Sequence, residues 1–414
     1  MKKLILTVLA ALMICCNLTV HAADTVYLNT AKDLYDLSAK VADGDTMEGV
    51  TVVLQNDITL TEKFNPIGTD PSRPFSGIFD GNGHSIQGLR VEGGSYCGLF
   101  GCITDGTVKN LTLTDAYVSG EDYVGMLVGR AYGYTGESVI ENCTVNGKVR
   151  GNCYAGAIAG ILLAAAYDNS AEAYIKNCTA YGDTSGNMYV GGIAGMAEAR
   201  GNSKTASVCV NDCTSHGTVA AKGTYGTAAG GICGALSAKD NGGNATAEAD
   251  GCVSFAAAKC DKIAAGGAFG TVGAVGEGAM CAVSNCTAMG FVSGSAVVGG
   301  FCGKAETENA IVAFENNIAA GCIISTDGDG IGFGEIESGC TRLDSAEGLS
   351  LAGYGKGDVN LDGNTDSLDA AILLKLDALL GIPSPFCDVN GDGKPDSLDA
   401  ARILKYDALL IDEL

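Results

Sequence analysis

The chain is expected to be mainly β: a right-handed parallel β-helix with an N-terminal cap, followed by a small all-α domain. Two repeats carry that expectation. A glycine-rich hexapeptide returns as Tyr96-Cys-Gly-Leu-Phe-Gly101, Val124-Gly-Met-Leu-Val-Gly129, Ala155-Gly-Ala-Ile-Ala-Gly160 and Val190-Gly-Gly-Ile-Ala-Gly195. It continues to Gly234, Gly270 and Gly303, at intervals of 28 to 39 residues. Between copies lie two or three short runs of small, β-branched and apolar residues without helical spacing. Short strands at a long fixed period predict a solenoid. Near the C-terminus, residues 358–380 and 388–410 agree at 17 of 23 positions, and each copy ends in an apolar run at helical spacing.

In chain order, residues 1–22 read as a secretory signal peptide. Met1-Lys-Lys precedes a short apolar run, and Val20-His-Ala22 offers a small-residue cleavage site. The run is too short to span a bilayer, no later segment is long and apolar enough, and export is therefore expected. Leu12-Met-Ile-Cys15 puts Met and Ile where a lipoprotein box has small residues. Residues 24–64 suit a cap: Thr30 can cap an amphipathic helix over 30–41, and 50–60 reads as strands. Such a helix would cover the open end of the solenoid.

Residues 65–339 form the repeat array. A second motif marks one turn of each repeat: Ile140-Glu-Asn-Cys-Thr144, Ile175-Lys-Asn-Cys-Thr179, Val210-Asn-Asp-Cys-Thr214 and Val283-Ser-Asn-Cys-Thr287. Asn110, Asn142, Asn177, Asn285 and Asn316 are expected to stack with their amides bonding along the axis, interrupted by Asp212 and Gly251. The triplets match a glycosylation sequon but are read as repeat positions. Cys143, Cys178, Cys213, Cys252 and Cys286 recur at 35, 35, 39 and 34 residues. Thiols at one repeat position fit a stacked apolar interior better than a disulfide ladder, although an exported chain keeps both readings open. Inserts over 164–173, 199–206 and 237–249 are expected to be loops. Residues 340–355 read as a linker.

The C-terminal copies, Asp358-Val-Asn-Leu-Asp-Gly-Asn-Thr-Asp-Ser-Leu-Asp369 and Asp388-Val-Asn-Gly-Asp-Gly-Lys-Pro-Asp-Ser-Leu-Asp399, set oxygen side chains at loop positions 1, 3, 5, 9 and 12, with glycine at 6. That spacing wraps a twelve-residue loop around a calcium ion, a hard cation wanting six to eight oxygens. Here the last ligand is Asp rather than Glu, and no helix precedes either loop. Residues 356–414 resemble a type I dockerin: two loop–helix units, with Ser-Leu at positions 10 and 11 and Lys at 18. The resemblance implies two calcium ions. One would be held by Asp358, Asn360, Asp362, Asp366 and Asp369 with the Asn364 carbonyl. The other would be held by Asp388, Asn390, Asp392, Asp396 and Asp399 with the Lys394 carbonyl. It also implies a cohesin partner on a scaffoldin. Its contacts fall on Ser367, Leu368, Lys375 and Leu379 in one helix, and on Ser397, Leu398, Lys405 and Leu409 in the other. Near-symmetry leaves two docking orientations open.

The repeats themselves resemble GLUG-motif proteins, with Phe75-Ser-Gly-Ile-Phe-Asp-Gly-Asn-Gly-His-Ser-Ile86 the sharpest piece. That likeness implies an exported bacterial β-helix and no chemistry of its own. A net charge of −23 sets nucleic acid and anionic membrane aside.

An enzyme on such a solenoid would need clustered carboxylates, or a base with arginines beside a uronate. Arg130 and Arg150 flank one insert, Asp80 and His84 share a glycine-rich turn, and His216 reads as a turn residue. None makes a site. Tyr123, Tyr132, Tyr134 and Tyr154, then Tyr174, Tyr181 and Tyr189, recur in neighbouring coils as a candidate sugar-facing stripe. The expectation is an extracellular, cell-surface component of cellulosome type. It would dock through calcium-loaded loops and display a solenoid for binding or adhesion in polysaccharide degradation, with plant cell-wall polysaccharide as ligand. The alternatives are a polysaccharide lyase or O-glycosyl hydrolase on the same solenoid, or a spacer.

Overall fold

The computed structural model describes residues 24–223, 227–260, 262–295, 297–321, 323–325, 331–332, 340–342, 356–359, 364–382 and 386–414. The expected signal peptide, most of the expected linker, Asn360 and Asp362 lie outside the described residues, as does the Leu379 side chain.

Among the described residues, four sheets run along a solenoid: one of ten strands, two of seven, and one of sixteen. In the last, two rows merge at the long strands Thr112–Ser119, Thr144–Arg150 and Thr179–Gly186. Strands pair in parallel with their counterparts one coil away, keeping a fixed phase: Val128↔Ala159, Ala159↔Ala194, Ala194↔Cys233, Cys233↔Phe269. This is a parallel β-helix, as the repeats predict. A coil carries four strands rather than two or three, for example Val128–Gly133, Glu137–Glu141, Thr144–Arg150 and Tyr154–Gly156. The hexapeptide hides the extra one because it straddles a corner. Strand Tyr189–Gly191 ends in its first half and Ala194–Gly201 begins in its second. Its glycine is forced there: a Cβ on Gly191 would lie 1.9 Å from the Ala194 carbonyl oxygen.

The Asn column is a second corner, and its first requirement is backbone handedness. Asn110, Asn142, Asn177, Asp212, Gly251, Asn285 and Asn316 all have φ between 51° and 64°. Asn, Asp and Gly are the residues that enter this left-handed region most cheaply. Asp212 and Gly251 therefore continue the backbone column, while neither carries a side-chain amide for the ladder, which they interrupt as expected. Amide bonding along the axis is present but partial. Asn142 Nδ2 donates to Asn110 Oδ1 at 3.3 Å, and Asn285 Nδ2 reaches the Asp250 carboxylate at 2.8 Å.

The three inserts are not loops. They lengthen consecutive strands of two facing sheets, such as Ala159–Ala166 then Ala171–Lys176 and Ala194–Gly201 then Ala206–Asn211, joined by short turns. Ala164, Ala173, Ala199 and Ala206 are wholly buried, so small side chains let the two strand layers close on each other.

The column Cys143, Cys178, Cys213, Cys252 and Cys286 is buried, and all described cysteines are free thiols. Cys178 Sγ donates to the Lys176 carbonyl at 3.3 Å and Cys213 Sγ to that of Asn211 at 3.2 Å. Burial pushes the Cys102, Cys233 and Cys281 thiols up to about 12.

At the N-terminal end, helix α1 (Ala31–Ala42) starts at a capping box between Thr30 and Asp33. It buries Leu34, Leu37 and Val41 in the solenoid core, above the Phe75–Phe100–Phe79 cluster with ring centroids 5.2 Å apart. Strand Asp24–Leu28 pairs with Val50–Leu54 to begin the ten-stranded sheet. At the other end Cys340–Arg342 still pairs with Asn317–Ala319, so the solenoid reaches into the segment expected as linker. Helices α2 (Ser367–Lys375, continued by a π-helical turn Leu376–Leu380) and α3 (Ser397–Asp407) then pack on one another.

Candidate functional site

The two helices begin identically. Asp366 caps α2 and Asp369 returns the capping box; Asp396 and Asp399 do the same for α3. The aspartates at loop positions 9 and 12 thus have a structural task that the ligand spacing concealed. Position 12 also ties each loop to its own start. Asp369 Oδ1 accepts from Val359 N at 2.7 Å, and Asp399 Oδ1 from Val389 N and Asn390 N at 2.9 Å. In the second loop Asp388 accepts from the amides of Gly391, Asp392 and Gly393 at 2.7, 3.2 and 2.9 Å. Asp392 accepts from Lys394 N at 2.9 Å. Gly393, at position 6, has φ +83°, the sharp turn expected of it.

The donor set suits a hard cation. Every side chain at positions 1, 3, 5, 9 and 12 offers oxygen, and Asp358, Asp369 and Asp399 are buried carboxylates in a segment with 12 acidic and 4 basic side chains over 358–414. Buried carboxylates need compensating charge or donors, and a divalent ion would supply what amides supply in part. Among the described residues no three His, Cys, Asp or Glu side chains gather around one point. Both Asp388 carboxylate oxygens and one of Asp392 accept from loop amides.

Along the surface of the second copy, Ser397, Leu398, Lys405 and Leu409 are all exposed, Leu398 by 64% and Leu409 by 89%. Their counterparts Ser367, Leu368 and Lys375 are exposed too. The surroundings differ. Leu368 and Ile372 form one wall of a groove of about 920 Å³, whose other wall is solenoid: Tyr117, Tyr181, His216, Phe255 and Phe291.

This solenoid face carries an aromatic column. His216 stacks between Tyr181 and Phe255 with centroids at 4.6 and 4.9 Å. It lies in strand Thr214–His216, not in a turn, and burial lowers its pKa. On the neighbouring face Tyr96, Tyr123, Tyr154 and Tyr189 stack at 5.0, 5.0 and 5.7 Å. Rings stacked at that spacing cover each other's faces, so the tyrosines offer edges rather than flat platforms to a sugar. Asp80 and His84 do not pair: His84 Nδ1 is 3.5 Å from Asp57, and Asp80 accepts from Asn110 at 3.0 Å. Arg130 and Arg150 each lie over a tyrosine, Tyr132 and Tyr117. Sequence reasoning missed the buried Glu198, held by Arg200 and, at 2.7 Å, by Lys239. No motif signals it, since it sits among alternating Ala and Gly.

Residues 356–406 match the dockerin type I domain family. Over 151 residues the chain is 32% identical to halomucin of Haloquadratum walsbyi, a match covering 33% of this chain and 2% of that protein's length. Among solved structures, a proposed immunoglobulin A1 protease of Bacteroides ovatus superposes with a TM-score of 0.47 at 21% identity, over 82% of this chain and 87% of that one. No helix among the described residues is long and apolar enough to cross a membrane.

Proposed function

From a type I dockerin at residues 356–406, we propose that this is an extracellular component of cellulosome type. It docks onto a scaffoldin cohesin when its two loops hold calcium. The observation that carries this is the twofold repetition of one device: a twelve-residue oxygen-rich loop closed by a buried position-12 aspartate, followed by a helix with an exposed Ser-Leu start. Asp358, Asn360, Asp362, Asp366, Asp369 and the Asn364 carbonyl would hold one ion. Asp388, Asn390, Asp392, Asp396, Asp399 and the Lys394 carbonyl would hold the other. Bound calcium would supply positive charge among the loop carboxylates; the chain's own residues cap the helices and fix the angle at which their Ser-Leu faces stand.

For the solenoid we favour binding or adhesion to polysaccharide over catalysis. Asp183 in the groove is exposed and tied to Thr218 at 2.7 Å and Lys148 at 3.8 Å. A glycosidase acid is instead held in a desolvated pocket. Tyr117, Asn146 and Lys148, which line the groove, offer the mixed apolar and hydrogen-bonding edge that a glycan uses.

The test is calorimetry of the full chain against a panel of type I cohesins, with calcium and with chelator, and with circular dichroism in parallel. Calcium-dependent binding with a calcium-dependent gain in helix is expected. Equal spectra and no binding in either condition would refute the docking reading. For the solenoid, plant cell-wall polysaccharides are assayed for retention and for new reducing ends; turnover would overturn the binding reading.

A further inference from the structure

The two loop–helix copies are nearly identical in sequence and unequal in setting. Six of the 23 aligned positions differ, and two of these lie on the outer flank of the helices: Ile372 against Arg402, and Leu376 against Tyr406. Ile372 and Leu376 are 8% and 5% exposed, whereas Arg402 and Tyr406 are half-buried. What covers the first copy is the solenoid. Phe291, from its aromatic face, packs against the cluster that contains Ile372, Leu373 and Leu376. Phe386, from the connection between the helices, is buried with Phe255, Met289 and Ala320. The backbone joins in as well: Gly381–Ile382 pairs antiparallel with Ile323–Ser325 of the last coils, Ile323 opposite Ile382.

We propose that the solenoid wall covering Ile372 and Leu376 keeps a cohesin off the first copy, so that the chain docks in one orientation only, through Ser397, Leu398 and Lys405 on α3 and Leu409 just beyond it. This rests on the docking reading above. The sizes support it. The space between α2 and the solenoid, about 920 Å³, matches a small-molecule cleft. A protein partner needs about 800 Å² of accessible surface on this chain. Phe291, on the solenoid wall facing α2, occupies the place a partner laid against Ile372 and Leu376 would take. The α3 face is open, and its chemistry specifies the partner: exposed Leu398, Leu404 and Leu409 beside Arg402 and Lys405, two of the five cations in an acidic domain. The matching cohesin surface is apolar at its centre and acidic where it meets those cations.

The experiment uses the full chain with calcium and a type I cohesin that binds it. Paired variants Ser397→Asp with Leu398→Asp, and Ser367→Asp with Leu368→Asp, are compared by calorimetry, with circular dichroism confirming retained helix. The α3 pair should weaken binding at least 100-fold and the α2 pair by less than 3-fold. Equal losses, or two silent pairs with loss only in the fourfold variant, would show dual docking and overturn the proposal. Phe291→Ser added to the α3 pair should restore binding by freeing α2. If no cohesin in the panel binds, the docking reading fails, and the seam is still tested. Hydrogen exchange in α2 should rise at least 10-fold in Phe291→Ser while α3 stays unchanged, and unchanged α2 exchange would refute the closure.

Discussion

Replacing Asn142 should separate two explanations of the Asn column. The residue sits at φ +54° and its amide donates to Asn110 at a long 3.3 Å. Alanine at this φ costs about 1–2 kcal/mol of backbone energy. A long, exposed side-chain hydrogen bond adds only about 0.5 kcal/mol. Asn142→Ala should therefore cost roughly 2 kcal/mol. Asn142→Gly keeps the handedness and loses the amide bond plus some chain entropy, about 1 kcal/mol. Solenoids open coil by coil, so hydrogen exchange is the assay, read at Asn142 N and Thr144 N, which donate to the Lys176 and Leu111 carbonyls. The alanine variant should exchange about 30-fold faster than wild type, and the glycine variant about 5-fold faster. Equal acceleration in both would mean that the amide ladder, not backbone handedness, selects asparagine here.

The thiols set an alkaline limit on stability. The folded pKa of Cys102, Cys233 and Cys281 lies above the unfolded one, so unfolding releases protons from these three once pH exceeds the unfolded value of about 8.5. The stabilisation is complete below that pH and is lost as pH rises toward 12 through the folded values of Cys102, Cys233 and Cys281. Each contributes a slope of about 1.4 kcal/mol per pH unit. Urea midpoints should thus be flat from pH 7 to 8.5 and fall steeply by pH 10, and a flat profile to pH 10 would refute the buried-thiol assignment. Thiol titration of the native protein should find reaction at the partly exposed Cys153 and Cys340 alone among the described cysteines, with the rest reacting only after unfolding. Resistance that persists in denaturant until a reductant is added would mean disulfides.

The solenoid was legible because its constraints act on single residues at a fixed phase. Gly191 has no room for a Cβ, Asn142 needs a left-handed backbone, and Cys178 fills a narrow interior, so each recurs visibly. The two C-terminal loop–helix copies were legible for the same reason, since their turn and capping residues recur at fixed spacing. What the sequence concealed depends on partners far apart in the chain. The alanines of 164–173 look like a flexible insert until the facing strand is in place. The Tyr181–His216–Phe255 column lies three residues after Cys178, Cys213 and Cys252, so the cysteine phase could have revealed it. The inequality of the two helices rests on Ile372 and Leu376, which read as ordinary helix residues until Phe291 is beside them.

A stack of parallel coils is in principle an unfinished fibre, since its last coil presents the same hydrogen-bonding edge that accepted every coil before it. Helix α1 occupies one terminus. At the other, Gly381–Ile382 arrives antiparallel, the wrong direction for another coil to continue, and the outermost strand Cys302–Glu308 carries Lys304, Glu306 and Glu308. The segment that ties the second domain down thus also stops growth along that row of the solenoid. Along that row the molecule offers no parallel template on which a second copy of the solenoid could continue.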